Sequence, residues 1–288
     1  MEIEKNLAPL DALRLSFRDM DEYADYRHEH KAQLAAIWQY QAALGNQEKP
    51  FTLNGFCEVC NSATKFYARP VTRLDDPSNF HVKWASLRCK CGLSARERRV
   101  ASLVPIGKNA SIYHVGHFSN LAKYFLDNHP NVTTSQFKEG YKSGFIDNEG
   151  VRYEDLTQLS FPESSFDFII CTEVLEHIPS YEAGLREAKR CLRESGAAIF
   201  TFPWLGGNHF KHRVRAELTD DGQIHHHLPP SYHGDPASPE GILCFRDFGW
   251  EILDELRANG FRDAFAYFMF NPLLGYMTLN EPVIIAKK

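Results

Sequence analysis

Two close pairs of cysteines are the side chains of this chain best suited to bind a metal ion. Cys57 and Cys60 form a C-x2-C pair, and Cys89 and Cys91 form a C-x-C pair after 28 intervening residues. Two turns with this spacing can each supply two thiolates, and Gly92 suits the second turn, so the pattern predicts tetrahedral Zn²⁺. Four protein ligands leave no open position, and the predicted zinc is therefore structural. The alternative is four reduced thiols, or two disulfides in an oxidising compartment.

A second group of candidate side chains follows an apolar segment. The mostly apolar run 166–171 ends in a polar pair, Thr172 and Glu173, and His177 lies four residues further on. An amphipathic segment, a glycine-containing turn and a second apolar run, 197–202, come next. This order predicts strand, helix, turn and strand, which is the unit of a parallel sheet. Ligands of open α/β sheets bind beyond the carboxyl ends of the strands, so these polar residues are candidates for a binding site.

The amino-acid order of this segment is more specific than its periodicity. FDFIICTEVLEHI followed by RCLRESGAAIFTFP resembles the fourth and fifth strand region of class I, type 11-like, S-adenosylmethionine (SAM)-dependent methyltransferases. In that family a strand of FDxVxxxxVLEH type leads to an RxLxxGGxLxxxxP segment. The resemblance covers about residues 108–288 and is strongest at 151–203. It implies an α/β fold with a Rossmann-like seven-stranded methyltransferase sheet, helices on both faces, and SAM as the cofactor.

The resemblance also implies where the first two strands meet the cofactor. The first strand of the family ends in a glycine-rich turn, and the segment YHVGHFSN brings Gly116 and His117 to that place. The second strand ends in an acid that accepts hydrogen bonds from the ribose hydroxyls. Gln136 stands there in this chain, with Glu139 as the alternative. An amide oxygen accepts a hydrogen bond but lacks the charge that strengthens it.

Further positions near the third and fourth strands follow from the same resemblance. Asp155 is expected to accept from the adenine amino group, and the backbone of Leu156 to meet the ring. The alternative is that Asp155 caps the next turn. Thr172 and Glu173 are expected to face the methionine part of SAM. His177 is a candidate general base, because an imidazole titrates near working pH, and the alternative is a packing role.

Residues 204–245 are rich in histidine, proline and glycine, and a segment of this length indicates a lid or substrate loop. Three interpretations stay open: substrate contact or lid packing, a second metal site, and a solvated loop. Six histidines lie in this segment: His209, His212, His225, His226, His227 and His233.

The elements that must position these residues divide the chain into three predicted parts. Residues 1–50 form a helical arm that ends at Gly45 and packs on its own subunit, or forms a homodimer through residues 8–44. Residues 51–100 form the zinc-binding module, and residues 101–288 form the SAM-dependent methyltransferase domain. The strands predicted for that domain are 111–115, 131–137, 151–155, 166–171, 197–202, 261–270 and 282–287, with helices at 121–128 and 248–259.

The composition is that of an ordinary globular protein. The chain has 288 residues, of which 43% are hydrophobic and 24% charged, and its net charge is −5. The acidic balance argues against nucleic acid as a partner. The basic run at 96–99 is interpreted as a solvated helix face, with contact to phosphate or carboxylate as the alternative. No apolar run reaches about 18 residues, so no membrane span is expected, and without a recognisable export signal the predicted location is cytoplasmic.

These observations predict an enzyme that transfers the methyl group of SAM to a hydroxyl or amine of a small-molecule acceptor. The leading acceptor class is a sugar or glycan precursor. The alternative is a pseudoenzyme or binding module with the same fold, because the turn at Gly116 has few glycines and Gln136 replaces an acid. A nucleic acid methyltransferase is disfavoured by the acidic balance and by the lack of an NPPY-like or DPPY-like tetrad in the sequence.

Overall fold

The chain folds into two units. The computed structural model describes residues 10–45, 48–72, 80–105, 109–235 and 238–288. Residues 1–9 and 46–47 of the predicted arm, 73–79 of the predicted zinc-binding module, 106–108 of the predicted methyltransferase domain and 236–237 of the predicted lid therefore lie outside the described residues. The first unit comprises the described parts of Met1–Phe17, Asp21–Leu103 and Tyr267–Glu281. The second comprises Arg18–Met20, Pro282–Lys288 and the described parts of Val104–Ala266. The sequence division assigns Tyr267–Glu281 to the methyltransferase domain, whereas its contacts group it with the first unit.

The segment predicted to be a helical arm begins with a strand. Its described elements are β1 (Leu13–Phe17), α1 (Met20–Glu29) and α2 (Lys31–Gly45). Along β1 the side chains alternate between inward-facing apolar residues and exposed Arg14 and Ser16, which is the period-two pattern of a strand. The prediction of helix was therefore wrong for Leu13–Phe17, while α2 ends at Gly45 as expected.

Four short strands and a helix follow in the first unit: β2 (Phe51–Cys57), β3 (Ser62–Ala68), β4 (Pro70–Thr72), β5 (Phe80–Val82), a 3₁₀ turn at Trp84–Ser86, and α3 (Ala95–Leu103). β2 and β3 form an antiparallel hairpin. A Cβ atom at Gly55 of β2 would lie 2.6 Å from Cε2 of Phe66 and would also meet the carbonyl oxygen of Leu273. Glycine is required there because the ring and the neighbouring carbonyl pack directly on the hairpin backbone.

Arg98 and Arg99 of α3 are buried, so the interpretation of this basic run as a solvated helix face was wrong. Their exposed fractions are 0% and 1%. The Arg98 guanidinium carbon lies 4.2 Å from the ring centroid of Phe66, and Nη1 donates to the carbonyl of Leu274 at 2.9 Å. Arg99 Nη1 donates to the carbonyl of Glu281 at 2.6 Å. Carbonyl acceptors and an aromatic face allow both guanidinium groups to leave water.

The rest of the chain contains twelve strands and three helices among its described residues. The longest helix of the described chain is α2, with 15 residues, and none of the described helices is long and apolar enough to cross a membrane. Two 3₁₀ turns lie at Leu175–His177 and Pro272–Leu274. The elements are β6 (Ile112–Val115), α4 (Asn120–Asn128), β7 (Val132–Ser135), β8 (Phe166–Thr172), α5 (Tyr181–Cys191), β9 (Leu192–Thr201), β10 (Arg213–Val214), β11 (Ala216–Leu218), β12 (Ile224–His226), β13 (Tyr232–Asp235), β14 (Ser238–Leu243), β15 (Arg246–Asp247), α6 (Glu251–Ala258), β16 (Asp263–Phe270) and β17 (Val283–Lys287).

Seven strands form one mixed sheet in the order β1-β16-β17-β9-β8-β6-β7. β6 pairs in parallel with β7 and β8, β8 pairs in parallel with β9, and β17 pairs antiparallel with β9. α4 joins β6 to β7 and α5 joins β8 to β9, in opposite directions along the sheet. Right-handed crossovers therefore place the two helices on opposite faces. The predicted Rossmann-like seven-stranded sheet is confirmed.

The third strand predicted for this sheet, 151–155, is reduced to a single parallel bridge between Gln136 and Tyr153. The Gln136 N–H donates to the carbonyl of Arg152 at 2.9 Å, and the Glu154 N–H donates to the carbonyl of Gln136 at 3.1 Å. The seventh place in the sheet is filled instead by β1, at the opposite edge from β7.

The predicted lid, 204–245, contains short antiparallel ribbons. β11 pairs with β12, β13 pairs with β14, and β10 pairs with β15 beyond the segment. The side chains of β10 and β12 are exposed, whereas Ala216, Leu243 and Phe245 form a small buried cluster. The segment therefore consists of hairpins that make apolar contacts with one another, while the side chains of β10 and β12 face solvent.

Candidate functional site

A cavity of about 1120 Å³ opens at the carboxyl ends of the parallel strands in the second unit. Its walls come from the segments that follow β6, β7 and β8, from residues 154–157, and from the ribbons of the predicted lid. Ligands of open α/β sheets bind at the point where the strand order changes direction, and in this sheet the order changes direction at β6. Seven of the eight residues predicted for SAM binding and catalysis line the cavity: Gly116, Gln136, Asp155, Leu156, Thr172, Glu173 and His177.

The turn after β6 keeps its backbone open towards the cavity. Gly116 has a φ of 106°, a conformation that favours glycine. Its N–H and that of His117 both donate to the carbonyl of Ser135, each at 2.9 Å, which fixes the turn against β7. A Cβ atom at Gly116 would find its nearest neighbour 3.9 Å away, at Cε1 of His114. A ligand can therefore approach the backbone of Gly116 closely.

The side chain of His117 turns away to Thr134. A hydrogen bond of 2.7 Å joins His117 Nδ1 to Thr134 Oγ1, and His117 is absent from the described lining of the cavity. Its predicted contact with SAM stays a prediction. His114 stands where the related family commonly has an acid, and it is fully buried. Burial lowers the pKa of its imidazole to about 4, so the ring is neutral at physiological pH.

Residues 152–160 are held beside the end of β7 by a buried carboxylate. Glu154 accepts from Arg152 Nε at 2.7 Å, from the Ser160 hydroxyl at 2.6 Å and from the Ser160 N–H at 2.9 Å. The bridge between Gln136 and Tyr153 lies within this network. Glu154 therefore stabilises the wall that carries Gln136, a role that the sequence did not indicate.

Asp155 makes the capping contacts that the sequence left as an alternative to adenine binding. Its Oδ1 accepts from the Thr157 N–H at 2.8 Å and from the Thr157 hydroxyl at 2.7 Å. Its own N–H donates to Ser143 Oγ at 2.9 Å. Because these bonds use one carboxylate oxygen, Oδ2 can still serve a ligand in the cavity. Leu156, the next residue, packs its side chain against Gly184 of α5, where a Cβ atom would lie 3.2 Å away.

The chain changes direction sharply at the end of β8. Glu173 has a φ of 54°, in the left-handed region that non-glycine residues seldom adopt. Its N–H donates to the carbonyl of Thr201 at 2.8 Å, which holds this conformation against β9. Backbone strain of this kind is frequent at ligand sites. Thr172 and Glu173 are thereby presented at the floor of the cavity.

Three side chains that could bind a proton or a cation lie close together at the 3₁₀ turn after β8. Glu176 is fully buried, and burial raises the pKa of its carboxyl. Its Oε1 lies 3.7 Å from Nε2 of His177 and 3.4 Å from Nδ1 of His233. His177 Nδ1 donates to the carbonyl of Leu243 at 2.8 Å, because a carbonyl oxygen can only accept. His233 was noted in the sequence as one of six lid histidines, and Glu176 was given no functional role.

His212 is the second lid histidine that enters a polar cluster within the described residues. The Gly249 N–H donates to its Nδ1 at 3.0 Å, so Nε2 carries the proton and donates to Glu255 at 3.1 Å. The Tyr181 hydroxyl donates to the same carboxylate at 2.8 Å. These bonds fasten the start of the lid to α6 and α5. His209, His225, His226 and His227 are exposed.

The four predicted zinc ligands lie together in the first unit. The Sγ atoms of Cys57, Cys60, Cys89 and Cys91 are all within 4.8 Å of one another, and those of Cys60 and Cys89 are 3.7 Å apart. Thiolates at about 2.3 Å from a tetrahedral zinc ion are separated by roughly 3.8 Å, so the spacing fits. The Cys60 N–H donates to Cys57 Sγ at 3.4 Å, as in a metal-binding knuckle. All seven cysteines of the chain are free thiols, so the disulfide alternative is not the arrangement found.

Residues 117–200, which contain β7, β8 and α5, match a family model described as a methyltransferase domain. This segment is therefore similar to a methyltransferase domain, and SAM-dependent methyl transfer is the activity that the match supports. No curated protein matches the chain.

Three solved structures illustrate the likeness. A SAM-dependent methyltransferase of Mesorhizobium loti is 14% identical with a TM-score of 0.41, over 66% of this chain and 96% of that one. The 1,6-didemethyltoxoflavin-N1-methyltransferase of Burkholderia thailandensis is 20% identical with a TM-score of 0.40, over 65% and 73%. A Bacillus halodurans protein assigned as a methyltransferase is 16% identical, with a TM-score of 0.32. The match covers 38% of this chain and about half (52%) of the length of the Bacillus halodurans protein. Likeness at this level carries no argument about substrate or mechanism.

Proposed function

We propose that this chain transfers the methyl group of SAM to a hydroxyl or amine of a small polar acceptor, with a sugar or glycan precursor as the leading class. The observation that carries the proposal is the cavity at the carboxyl ends of β6, β7 and β8, in the region that matches the methyltransferase domain. Its volume of about 1120 Å³ exceeds that of most single small-ligand sites. A cofactor and an acceptor therefore have room to bind side by side.

The cofactor half of the cavity is the side formed by the ends of the parallel strands. The open backbone at Gly116 gives the cofactor a close approach, and Gln136 at the end of β7 offers an amide oxygen to the ribose hydroxyls. Oδ2 of Asp155 is the proposed acceptor for the adenine amino group. The methionine part is assigned to Thr172 and Glu173, where the chain leaves β8.

When bound, SAM supplies a methyl group that its sulfonium already activates. The chain's own residues then have to hold the two reactants in line and exclude water, and proximity accounts for much of the rate. His177 lines the cavity, and its Nδ1–H is held by the carbonyl of Leu243 at 2.8 Å. Its Nε2 lone pair, 3.7 Å from Oε1 of Glu176, is therefore left to take a proton or bind a cation.

The acceptor half of the cavity is the side formed by the lid and α6. Charges of both signs reach it, together with three apolar side chains, Val214, Leu218 and Ile242. Such a wall can donate to and accept from several hydroxyl groups of one ligand, which favours a polyhydroxylated molecule over an apolar one. The charged and polar residues of this wall are Lys211, His212, Glu217, Arg246 and Glu251.

Two measurements test the proposed function. Calorimetric titration of the full chain with SAM and S-adenosylhomocysteine tests the cofactor, and transfer from methyl-radiolabelled SAM to nucleotide sugars, amino sugars and small glycan precursors tests the reaction. We expect saturable binding of both nucleosides and label in one acceptor class. Binding without transfer would favour the alternative, a binding module, which is supported by Gln136 in place of an acid. The absence of binding would refute the proposal.

We further propose that the cysteine cluster of the first unit holds structural zinc. The spacing of the sulfur atoms supports this, as does the contact of 3.6 Å between Thr64 Oγ1 and Cys89 Sγ, because a hydroxyl can donate to a zinc-bound thiolate. In metal analysis of the purified chain, the cysteine cluster is expected to account for about one zinc ion per chain.

Two other expectations stay predictions. A homodimer through residues 8–44 would use α1 and α2, and Trp38 of α2 is 45% exposed. Light scattering on the eluting protein would measure the mass of the particle and decide between monomer and dimer. The cytoplasmic location would be tested by fractionation of the source cells.

A further inference from the structure

A buried carboxylate beside the cavity, that of Glu176, makes two long ion-pair contacts to histidine rings within the described part of the chain. The Glu176 side chain is 0% exposed, and neither of its oxygens has a hydrogen-bond partner there. Burying a carboxylate in this way is costly, and such groups in folded proteins are normally hydrogen-bonded, paired or bound to a metal. Its two ion-pair contacts are to the rings of His177 and His233, at 3.7 and 3.4 Å.

The spacing of these three side chains suits a common ligand between them better than direct hydrogen bonds. The three donor atoms lie within 4.8 Å of one another. Two nitrogen or oxygen ligands at about 2.1 Å from a tetrahedral metal ion are separated by roughly 3.4 Å. The distances of 3.4 and 3.7 Å from Glu176 Oε1 are close to that value, whereas strong hydrogen bonds between imidazolium and carboxylate are about 2.7–2.9 Å long.

The orientation of His177 adds an independent observation. Its Nδ1–H donates to the carbonyl of Leu243 at 2.8 Å, which fixes the tautomer and turns Nε2 towards Glu176. Metal-binding histidines almost always make such a bond through their other nitrogen, commonly to a backbone carbonyl. The ring of His233 meets that of His177 edge to face, with centroids 5.2 Å apart and an interplanar angle of 84°. Both rings can therefore approach one ion without overlapping.

We propose that Glu176, His177 and His233 bind a divalent transition-metal ion, and that this ion holds the acceptor through hydroxyl oxygens. This inference rests on the proposed methyl transfer. Two imidazoles and one carboxylate favour Zn²⁺, Mn²⁺ or Fe²⁺ over Mg²⁺ or Ca²⁺, which prefer all-oxygen sites. Three protein ligands leave positions open for other molecules, and His177 belongs to the wall of the cavity.

We expect the acceptor to carry a second oxygen close to its reacting hydroxyl group, so that both oxygens can bind the metal ion at once. A bound divalent cation lowers the pKa of a hydroxyl and makes its oxygen a better nucleophile. That oxygen forms a bond to the methyl carbon while the carbon–sulfur bond breaks and sulfur keeps the electron pair. The hydroxyl proton leaves to water, and the products are a methyl ether and neutral S-adenosylhomocysteine. His177 then acts as a ligand, and the proton needs no imidazole base.

Mn²⁺ is the probe that best separates this site from the cysteine cluster. Thiolates select zinc, whereas carboxylate and imidazole accept manganese, so chains first loaded with one zinc ion keep the cysteine site filled. The signal of free Mn²⁺ in electron paramagnetic resonance then reports binding by the full chain. We expect one further Mn²⁺ per chain. Glu176→Gln, which keeps the shape of the side chain, and His233→Ala should each weaken Mn²⁺ binding at least about tenfold.

His226→Ala is the matched control, because His226 is an exposed histidine of the same lid. This variant should bind Mn²⁺ as the wild type does, and thermal melting of all variants would report whether they fold. His233→Ala should also keep SAM affinity while losing transfer to a dihydroxy acceptor. A wild-type chain that binds neither Mn²⁺ nor a second Zn²⁺ at millimolar concentration would overturn the proposal, and the cluster would then be an ion pair only. Equal Mn²⁺ binding in Glu176→Gln would overturn it as well.

The outcomes for the metal and for the cofactor are distinguishable in the same preparation. SAM binding without Mn²⁺ binding would leave the proposed methyl transfer intact and refute the metal. Mn²⁺ binding that is lost in Glu176→Gln, without any SAM binding, would support the metal site and refute methyl transfer as its use.

Discussion

Replacement of Asp155 by asparagine separates a role in adenine binding from a role in holding the local turn. Oδ1 of Asp155 accepts from the N–H and the hydroxyl of Thr157 at 2.8 and 2.7 Å. Asparagine keeps a carbonyl oxygen for these two bonds, whereas its NH₂ group replaces Oδ2. An NH₂ donor facing the adenine amino donor cannot form the proposed hydrogen bond. We therefore expect Asp155→Asn to fold normally and to bind SAM and S-adenosylhomocysteine more weakly.

The size of the loss follows from the type of bond removed. A hydrogen bond to a charged acceptor contributes about 1.5–3 kcal/mol, and each 1.4 kcal/mol or so is a factor of ten in Kd. The dissociation constant should therefore rise roughly tenfold to hundredfold. Asp155→Ala removes the same acceptor together with the bonds to Thr157, so it should show a similar loss of affinity and a lower Tm as well.

Calorimetry and thermal melting of both variants distinguish the two roles. Asp127→Asn is the control, because Asp127 is an exposed aspartate of α4 whose side chain pairs with Lys123 at 3.1 Å. It should keep both the affinity and the Tm of the wild type. Wild-type affinity in a folded Asp155→Asn chain would refute the assignment of adenine to this residue. Wild-type affinity in Asp155→Ala with a lower Tm would show that capping the turn is its sole role.

Four other changes test separate parts of the structure. Gln136→Glu should tighten SAM binding several-fold by calorimetry, because a charged acceptor adds about 1 kcal/mol to a hydrogen bond with ribose, and unchanged affinity would argue that the ribose binds elsewhere. Cys89→Ser should lower both the zinc content and the Tm, whereas Cys191→Ser, a buried cysteine outside the cluster, should keep the zinc. Burial lowers the pKa of the His114 imidazole to about 4, whereas the same side chain in the unfolded chain takes up a proton near pH 6.5. The free energy of unfolding should therefore fall by roughly 3 kcal/mol as the pH drops from about 6.5 to 4. His114→Phe should remove this pH dependence in denaturation curves measured at a series of pH values. Gly55→Ala should lower the free energy of unfolding by about 1–3 kcal/mol in urea, because the new methyl group would lie 2.6 Å from Phe66, and an unchanged value would contradict the close packing.

The parallel part of the sheet was predictable because its signals are local. β8 and residues 197–200 of β9 are mostly buried apolar runs. The glycine-containing turn predicted before the second run was wrong, because β9 begins at Leu192, directly after α5, and includes the exposed residues 193–195. α5 between the two strands has a strongly amphipathic sequence that buries Leu185 and Ala188 against the sheet. Neighbouring residues alone decide such elements, and the strand ends then follow from the rule that ligands bind beyond the carboxyl ends. Seven of the eight predicted pocket residues accordingly line one cavity.

The errors concern residues whose environment is set by distant parts of the chain. Leu13–Phe17 is a short edge strand among charged residues, and its period-two pattern covers too few positions to outweigh the helical signals that follow. Arg98 and Arg99 are buried because carbonyls of Leu274 and Glu281, far along the chain, accept their hydrogen bonds. The sequence does contain a local signal for the start of helix α3, because Ser94 and Glu97 form a reciprocal capping box.

The approach of His233 to Glu176 could not be predicted, since 56 residues separate them and their meeting depends on backbone bonds. The Phe245 N–H donates to the carbonyl of Glu176 at 2.7 Å, and the carbonyl of Leu243 accepts from His177 Nδ1 at 2.8 Å. These bonds fasten the end of the lid to the 3₁₀ turn after β8, so His233, which pairs across β13 and β14 in this ribbon, is held beside the cavity. The ribbon of β11 and β12 is joined to the same base at one end, because the Ala216 N–H donates to the carbonyl of Phe245 at 3.1 Å and Ala216 packs with Leu243 and Phe245. Any closure over an acceptor should therefore involve the exposed outer part of that ribbon, residues 217–226, while the base of the lid and the Glu176, His177 and His233 cluster stay fixed.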